Sequence, residues 1–460
     1  MDSVNKRKEF VYTVHFFVTK IAIFAYNFAL YDIINVMRKQ KNKKKLNFIL
    51  PFCITLTFVT FAGLFVMFSY LWVVEDTTAK SGTGKKTLVK EDIINIDNVK
   101  KHEDKTPPNI DTAENIEGTE NADSTQSTEY ALEENIFVKE AASKDRVTIT
   151  FAGDILFDAN YAIMVSLMQR GGDISRGITP EVMEEMKSAD IMMLNNEFPY
   201  SDRGEPTPDK AFTFRAKPST VSYLGELGVD IVSLANNHAY DHGEEAFLDT
   251  LQVLKDAGIH YVGAGVNAEE AERPVYYIIN DMKIAFVSAT QIERNETPDT
   301  KEATETTPGV FRCWDGEKLL RTVRETKENS DFVIVYVHWG TENQAETDWA
   351  QEKQARELVE AGADLIVGDH PHCLQRIEII KGVPVFYSLG NFWFNSREID
   401  TGLLKVTIAE GKLKSCRFIP CLQSNCTTTM LSGEEKERVL EWMREQSENV
   451  SIDAEGYINF

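Results

Sequence analysis

The chain has 460 residues and a formal net charge of -23, from 72 acidic against 49 basic side chains. So strong a negative balance argues against nucleic acid or another polyanion as a partner of the whole surface. Six cysteines, at 53, 313, 373, 416, 421 and 426, match neither paired CxxC zinc ligands nor a dense disulfide framework.

Residues Phe10 to Val36 are apolar and aromatic but are broken by His15, Lys20, Asn27 and Asp32, which suits an interfacial amphipathic helix better than a crossing. A basic block, RKQKNKKK from Arg38 to Lys45, then precedes an uncharged run from Leu46 to Val74. A membrane span needs roughly 20 apolar residues, and this run exceeds that. Lysine and arginine collect on the cytoplasmic side of a span, so residues 1–45 are expected inside, 46–74 across a cell membrane in a single pass, and the remainder outside. From 75 to 145 the sequence is acidic and polar with few large apolar residues, and reads as a disordered stalk.

The character changes near Val147, and residues 146–430 are expected to form the main domain. Short β-branched runs (VTITFAGD, IMMLNNE, IVSLANNH, FVIVYVHWG, DLIVGDHPH, VFYSLGNF) alternate with helical patterns such as EEAFLDTLQVLKDAG and QEKQARELVEAG. That alternation predicts an α/β domain with much parallel sheet. Hairpins are expected with turns at Asn280-Asp281 and Glu410-Gly411. Residues 431–460 form a C-terminal segment whose EEKERVLEWMREQ has the spacing of a surface helix.

The chemistry lies at the strand ends. Asp154, then Asn195, Asn196 and Glu197, then Asn236, Asn237 and His238, then His338, then His370 and His372, and finally Asn391 each follow a strand-like run. In open α/β sheets ligands gather beyond the carboxyl ends of the strands, so these groups are expected to converge. Singly, Asp154 fits a turn or helix cap and His338 a core histidine. Together, five of the eight histidines lie in or just after these loops, counting His242. A mixed imidazole, carboxylate and amide set suits a borderline or moderately hard divalent ion. A bridging carboxylate flanked by histidines can hold two ions roughly 3.5–4 Å apart, a spacing that suits phosphoryl transfer.

The series GDILF, NNEFP, FTFRAKP, SLANNHAYDHG, VHWG, GDHPH and SLGNF resembles that of the CapA/PgsA-type capsule (poly-γ-glutamate) synthesis proteins over roughly 147–396. That family is similar to the calcineurin-like metallophosphoesterases. The resemblance implies a two-sheet α/β sandwich of the metallo-dependent phosphatase type, preceded by a transmembrane anchor. It also implies that Asp154, Glu197, Asn237, His338, His370 and His372 bind one or two divalent ions (Mn, Zn or Fe), and that His238 is the catalytic proton donor. Arg215 and Asn196 are the candidate substrate-binding residues. Two positions depart from the superfamily pattern: Ile155 and Leu156 stand where Asp-x-His would place an imidazole, and Glu197 stands for an aspartate. The implied partner is an anionic envelope polymer or a phosphoester, with membrane synthase subunits nearby. The alternative role is a non-catalytic metal-binding component of a polymer synthesis and export complex.

Overall fold

The computed structural model describes residues 135–292 and 300–459. The expected span at 46–74, the helix at 10–36 and the stalk as far as 134 lie outside the described residues. Among the described residues no helix is long and apolar enough to cross a membrane.

Two mixed sheets form the domain. The seven-stranded sheet has at its centre three parallel strands, Met282–Thr290, Phe332–His338 and Leu365–Asp369, followed by Val383–Phe386. FVIVYVH is buried along its whole length, as a β-branched run must be when both faces of a parallel strand are covered. The ten-stranded sheet carries Val147–Ile155, Ile191–Asn196, Ile231–Ser233 and His260–Val262 in parallel, and Ile399–Ala409 and Lys412–Ser424 antiparallel beside them. Both expected hairpins form. Asn280 and Asp281 take φ of 51° and 59°, and Glu410 and Gly411 take 54° and 65°, the left-handed pair that a tight two-residue turn requires.

Alternation along the strands sorts the core into three slabs. Ile149, Phe151 and Leu404 of the larger sheet meet Phe286, Ile334 and Val367 of the smaller one between the sheets. The opposite face of the larger sheet, with Met192 and Leu194, packs on the helices Ala162–Gln169, Pro180–Lys187 and Gly243–Asp256. The opposite face of the smaller sheet, with Val335 and Val337, packs on Glu317–Glu328 and Trp349–Ala361. The product is a helix, sheet, sheet, helix sandwich, the architecture that the family resemblance implies. Tyr336 donates a hydrogen bond across the middle slab to the Ala152 carbonyl at 2.8 Å.

Two boundaries differ from the sequence reading. Ile136–Val138 lies inside the stretch read as stalk but adds a parallel edge strand against Tyr276–Ile278, so order begins before Val147. The helix Gly433–Gln446 is not only a surface element, because Val439, Leu440 and Met443 enter the slab between the sheets. Beyond it, Ser451–Ile452 and Tyr457–Asn459 extend the larger sheet.

Candidate metal centre

Parallel pairing brings the strand ends of both sheets to one edge. In the larger sheet Asp154 stands opposite Asn195 on one side and Asn391 on the other. In the smaller sheet His338 stands opposite Asp369. Close approach at this edge requires glycine: a Cβ on Gly153 would sit 1.9 Å from the Gly390 carbonyl oxygen, which accepts the Asp154 amide at 3.0 Å.

The side chains meet in a nearly dry cluster. Asp154, Glu197, His338 and Asp369 are fully buried and His370 is 4 % exposed. His338 lies between its neighbours, with Nδ1 2.9 Å from Asp369 Oδ1 and Nε2 2.8 Å from Asn237 Oδ1 and 3.0 Å from His370 Nδ1. His372 Nδ1 is 3.0 Å from Asp154 Oδ2 and 2.8 Å from Asn391 Oδ1. Two sets of three donor atoms are each mutually within 4.8 Å: Glu197 with His370 and His372, and Asp154 with His338 and Asp369. His370 and His372 both adopt left-handed backbone, at φ of 90° and 57°. Such conformations cost about 1–3 kcal/mol each and persist where the surroundings enforce them, so the GDHPH loop is held in shape for its imidazoles.

Burial and the crowding of carboxylates set the electrostatics of the site. Burial, then the charges of Asp154 and Asp369, push the Glu197 carboxyl well above its ordinary range. Burial and the neighbouring Asp154 do the same to Asp369. Burial also opposes ionisation of Asp154, yet the hydrogen bond and charge of His372, helped by His338 and Asn195, hold it below its usual value. Burial drives His338 down to about 3 and His370 well down as well. Glu197 Oε1 and Asp369 Oδ2 are buried without a hydrogen-bond partner among the described residues. Unpaired buried acceptors are expensive, and a divalent cation among them would satisfy both atoms and offset the clustered negative charge. The donor set therefore fits a divalent ion, with Asp369 adding a carboxylate beside Asp154 and His338.

His238 stands beside this cluster. Its Nδ1 is 2.7 Å from Asp241 Oδ2, which leaves Nε2 turned toward the centre, 3.9 Å from Glu197 Oε1. Asp241 also accepts the Lys210 ammonium at 2.6 Å and the Phe214 amide at 2.7 Å. Lys210 further donates to the Asn237 carbonyl. The Phe214 ring lies 4.2 Å from the His238 ring and covers it. Burial outweighs the pull of Asp241 and holds the His238 pKa below its ordinary value.

Of the residues chosen from sequence, Asp154, Glu197, Asn237, His238, His338, His370 and His372 come together. Asn196 does not join them: its amide nitrogen donates to the Phe198 carbonyl at 2.7 Å and its Oδ1 is buried without a partner. Asn195 occupies the central place, donating to Asp154 Oδ1 at 2.9 Å and Glu197 Oε2 at 3.3 Å while accepting from Asn236. Arg215 spends its guanidinium on the Arg203 and Gly204 carbonyls at 3.1 and 3.0 Å, which braces a loop. Sequence reasoning missed Asp369, Asp241 and Lys210. The first two carried a signal, since Asp369 closes a strand-like run and Asp241 lies three residues after His238.

A two-layered sheet core with imidazoles and carboxylates clustered at its strand ends defines a protein of the α/β sandwich class. The chain belongs to the bacterial capsule synthesis protein PGA_cap family, whose profile it matches over residues 148–396. It is 31% identical over 307 residues to the Capsule biosynthesis protein CapA of Bacillus anthracis, covering 64% of this chain and 72% of that one. It is 32% identical over 268 residues to the PGA biosynthesis protein CapA of Bacillus subtilis, covering 57% and 68%. A third relative, at 28% over 284 residues and covering 58% and 74%, is the Probable polyglutamine synthesis accessory protein MT0602 of Mycobacterium tuberculosis.

Proposed function

We propose that this protein serves capsule or poly-γ-glutamate biosynthesis as a metal-dependent hydrolase or transferase, acting on a phosphoester or on a linkage of an anionic envelope polymer. The names of its relatives support the process, and the centre supports the chemistry. The observation that carries the reading is the placement of His238, oriented by Asp241 through Nδ1 and presenting Nε2 to the carboxylate and histidine cluster.

Asp154, Glu197, Asn237, His338, Asp369, His370 and His372 would hold one or two divalent ions. Such an ion supplies Lewis-acid polarisation of a phosphoryl oxygen and acidifies water at neutral pH. The protein's own groups do the rest. Asp241 stabilises the imidazolium form of His238, whose Nε2–H can pass a proton to a leaving oxygen. Phe214 packs against that imidazole ring, and Lys210 holds the Asp241 carboxylate in place. We place the domain outside the membrane, tethered by residues 46–74, on the strength of the uncharged run and its basic flank.

A non-catalytic metal-binding part of a synthesis complex is the second reading, favoured by the name of the mycobacterial relative, which calls that protein accessory. Replacement of His238 by alanine separates the two. A hydrolase keeps its metal and loses about 10²–10⁴-fold in turnover of bis(p-nitrophenyl) phosphate or a phosphomonoester. Metal-loaded wild type without turnover on either ester, with polymer formation unaffected by the substitution, would favour the accessory role.

A further inference from the structure

His370 has a second surroundings. Away from the other ligands it lines a cleft of about 400 Å³ whose walls include Trp314, Glu342, Asp348 and Trp349. The same two tryptophans line an adjoining recess of about 110 Å³, with Asp315, Lys353 and Glu357. The path from His370 through the two recesses thus runs beside Trp314 and Trp349.

Neither tryptophan is there for packing, as Trp314 is 56 % and Trp349 74 % exposed. Trp349 is the first residue of its helix, whose start is fixed by Asp348 and Gln351 in a reciprocal capping box that asks nothing of the two residues between them. Exposed large aromatics beside a catalytic cleft are features of binding, since tryptophan offers a broad, rigid, electron-rich face.

The charge of the cleft decides what those faces take. Glu342, Asp348, Asp315 and Glu357 supply four carboxylates against one ammonium, Lys353, which pairs with Glu357 at 3.3 Å. Glu342 is exposed and lines the same cleft as His370. An anionic chain would be repelled along this route, whereas a cation would gain from the carboxylates and from the tryptophan quadrupoles together. The centre itself, once loaded, attracts the opposite sign.

We propose that the Trp314–Trp349 cleft is the subsite for an ammonium group, and that the substrate is a zwitterionic phosphoester with its phosphoryl group at the metal centre and its cationic end between the two tryptophans. This rests on the metal-dependent reading above and gives it a substrate class. A neutral or purely anionic ester would use only half of the site.

The test is calorimetric titration of the full-length chain in a non-ionic detergent with manganese, using glycerophosphocholine, glycerophosphoethanolamine and glycerol 3-phosphate. Both ammonium esters are expected to bind at least tenfold more tightly than glycerol 3-phosphate. Trp349→Ala and Trp314→Ala should each remove most of that preference while leaving the affinity for glycerol 3-phosphate unchanged, and Trp349→Phe should restore part of it. Equal affinity for all three esters, or a preference that survives both alanine variants, would overturn the proposal. Metal content and bis(p-nitrophenyl) phosphate turnover are measured on the same samples. Absence of the preference in wild type with turnover intact refutes the ammonium subsite alone, and absence of metal and turnover in wild type refutes the reading beneath it.

Discussion

Glu197→Gln is expected to act in opposite directions with and without metal. The side chain is fully buried, Oε1 has no hydrogen-bond partner, and the charges of Asp154 and Asp369 resist its ionisation. Removing a carboxylate from three that crowd together relieves a cost in the metal-free protein, so the variant should unfold at the same temperature as wild type or higher. The ion that the carboxylate helps to hold stabilises only the folded state, by about 2.7 kcal/mol at a concentration 100 times its dissociation constant. At about 2–4 °C per kcal/mol for a domain of this order of size, that is a rise of about 5–10 °C. Thermal unfolding with EDTA and then with a manganese or zinc series gives both numbers. Wild type should show the full rise and the glutamine variant little of it. A variant that metal protects as strongly as wild type would refute the reasoning, as would one markedly less stable than wild type in EDTA.

Further consequences can be read by simple assays. Asp241→Asn leaves the metal ligands in place but removes the charge that orients His238, so phosphoester turnover should fall by about 10²-fold with metal content unchanged; equal turnover would show that Asp241 only braces the loop. His260 stacks on Phe137 at 3.4 Å, hydrogen-bonds Tyr277 at 2.6 Å and is held down to about 4 mainly by burial, against Asp230. Its folded value lies below the unfolded 6.5, so its stabilising contribution is complete above about pH 6.5 and is lost as pH falls toward 4. Urea unfolding between pH 7 and 4.5 should therefore show a shallower slope for His260→Asn than for wild type, and parallel slopes would contradict this. Gly153→Ala drives a Cβ into the Gly390 carbonyl and should destabilise by at least about 1–3 kcal/mol, read from the thermal midpoint, while weakening metal binding through Asp154. Among the described residues Cys313, Cys373, Cys416, Cys421 and Cys426 are free thiols, so dithiothreitol should leave the midpoint unmoved.

The site was largely legible because its ligands follow long, strongly patterned strands. VTITFAGD, FVIVYVHWG and DLIVGDHPH announce their own ends, and the parallel pairing that such runs imply brings those ends together. What stayed hidden depends on single-residue register or on tertiary burial. Asn195 and Asn196 differ by one step along a strand, and side-chain alternation with the shift of register near Asp154 decides which amide reaches the centre. Asp369, as the last residue of its strand, looks like a turn aspartate until His338 is seen opposite it. Lys210 lies in an exposed-looking loop rich in proline and aspartate, and only the folded chain shows its side chain 4 % exposed against Asp241. The strands Ser451–Ile452 and Tyr457–Asn459 are too short to carry a period and exist because a neighbour offers an edge.

The central claim is that the buried carboxylates and histidines hold metal. Elemental analysis of the purified full chain, exchanged into metal-free buffer after loading with manganese, zinc or iron, tests it most directly, with the double variant Glu197→Gln, Asp369→Asn alongside. The account predicts one to two equivalents in wild type and a large loss in the double variant. Wild type that retains no metal under any loading, or a double variant that retains as much, would contradict it.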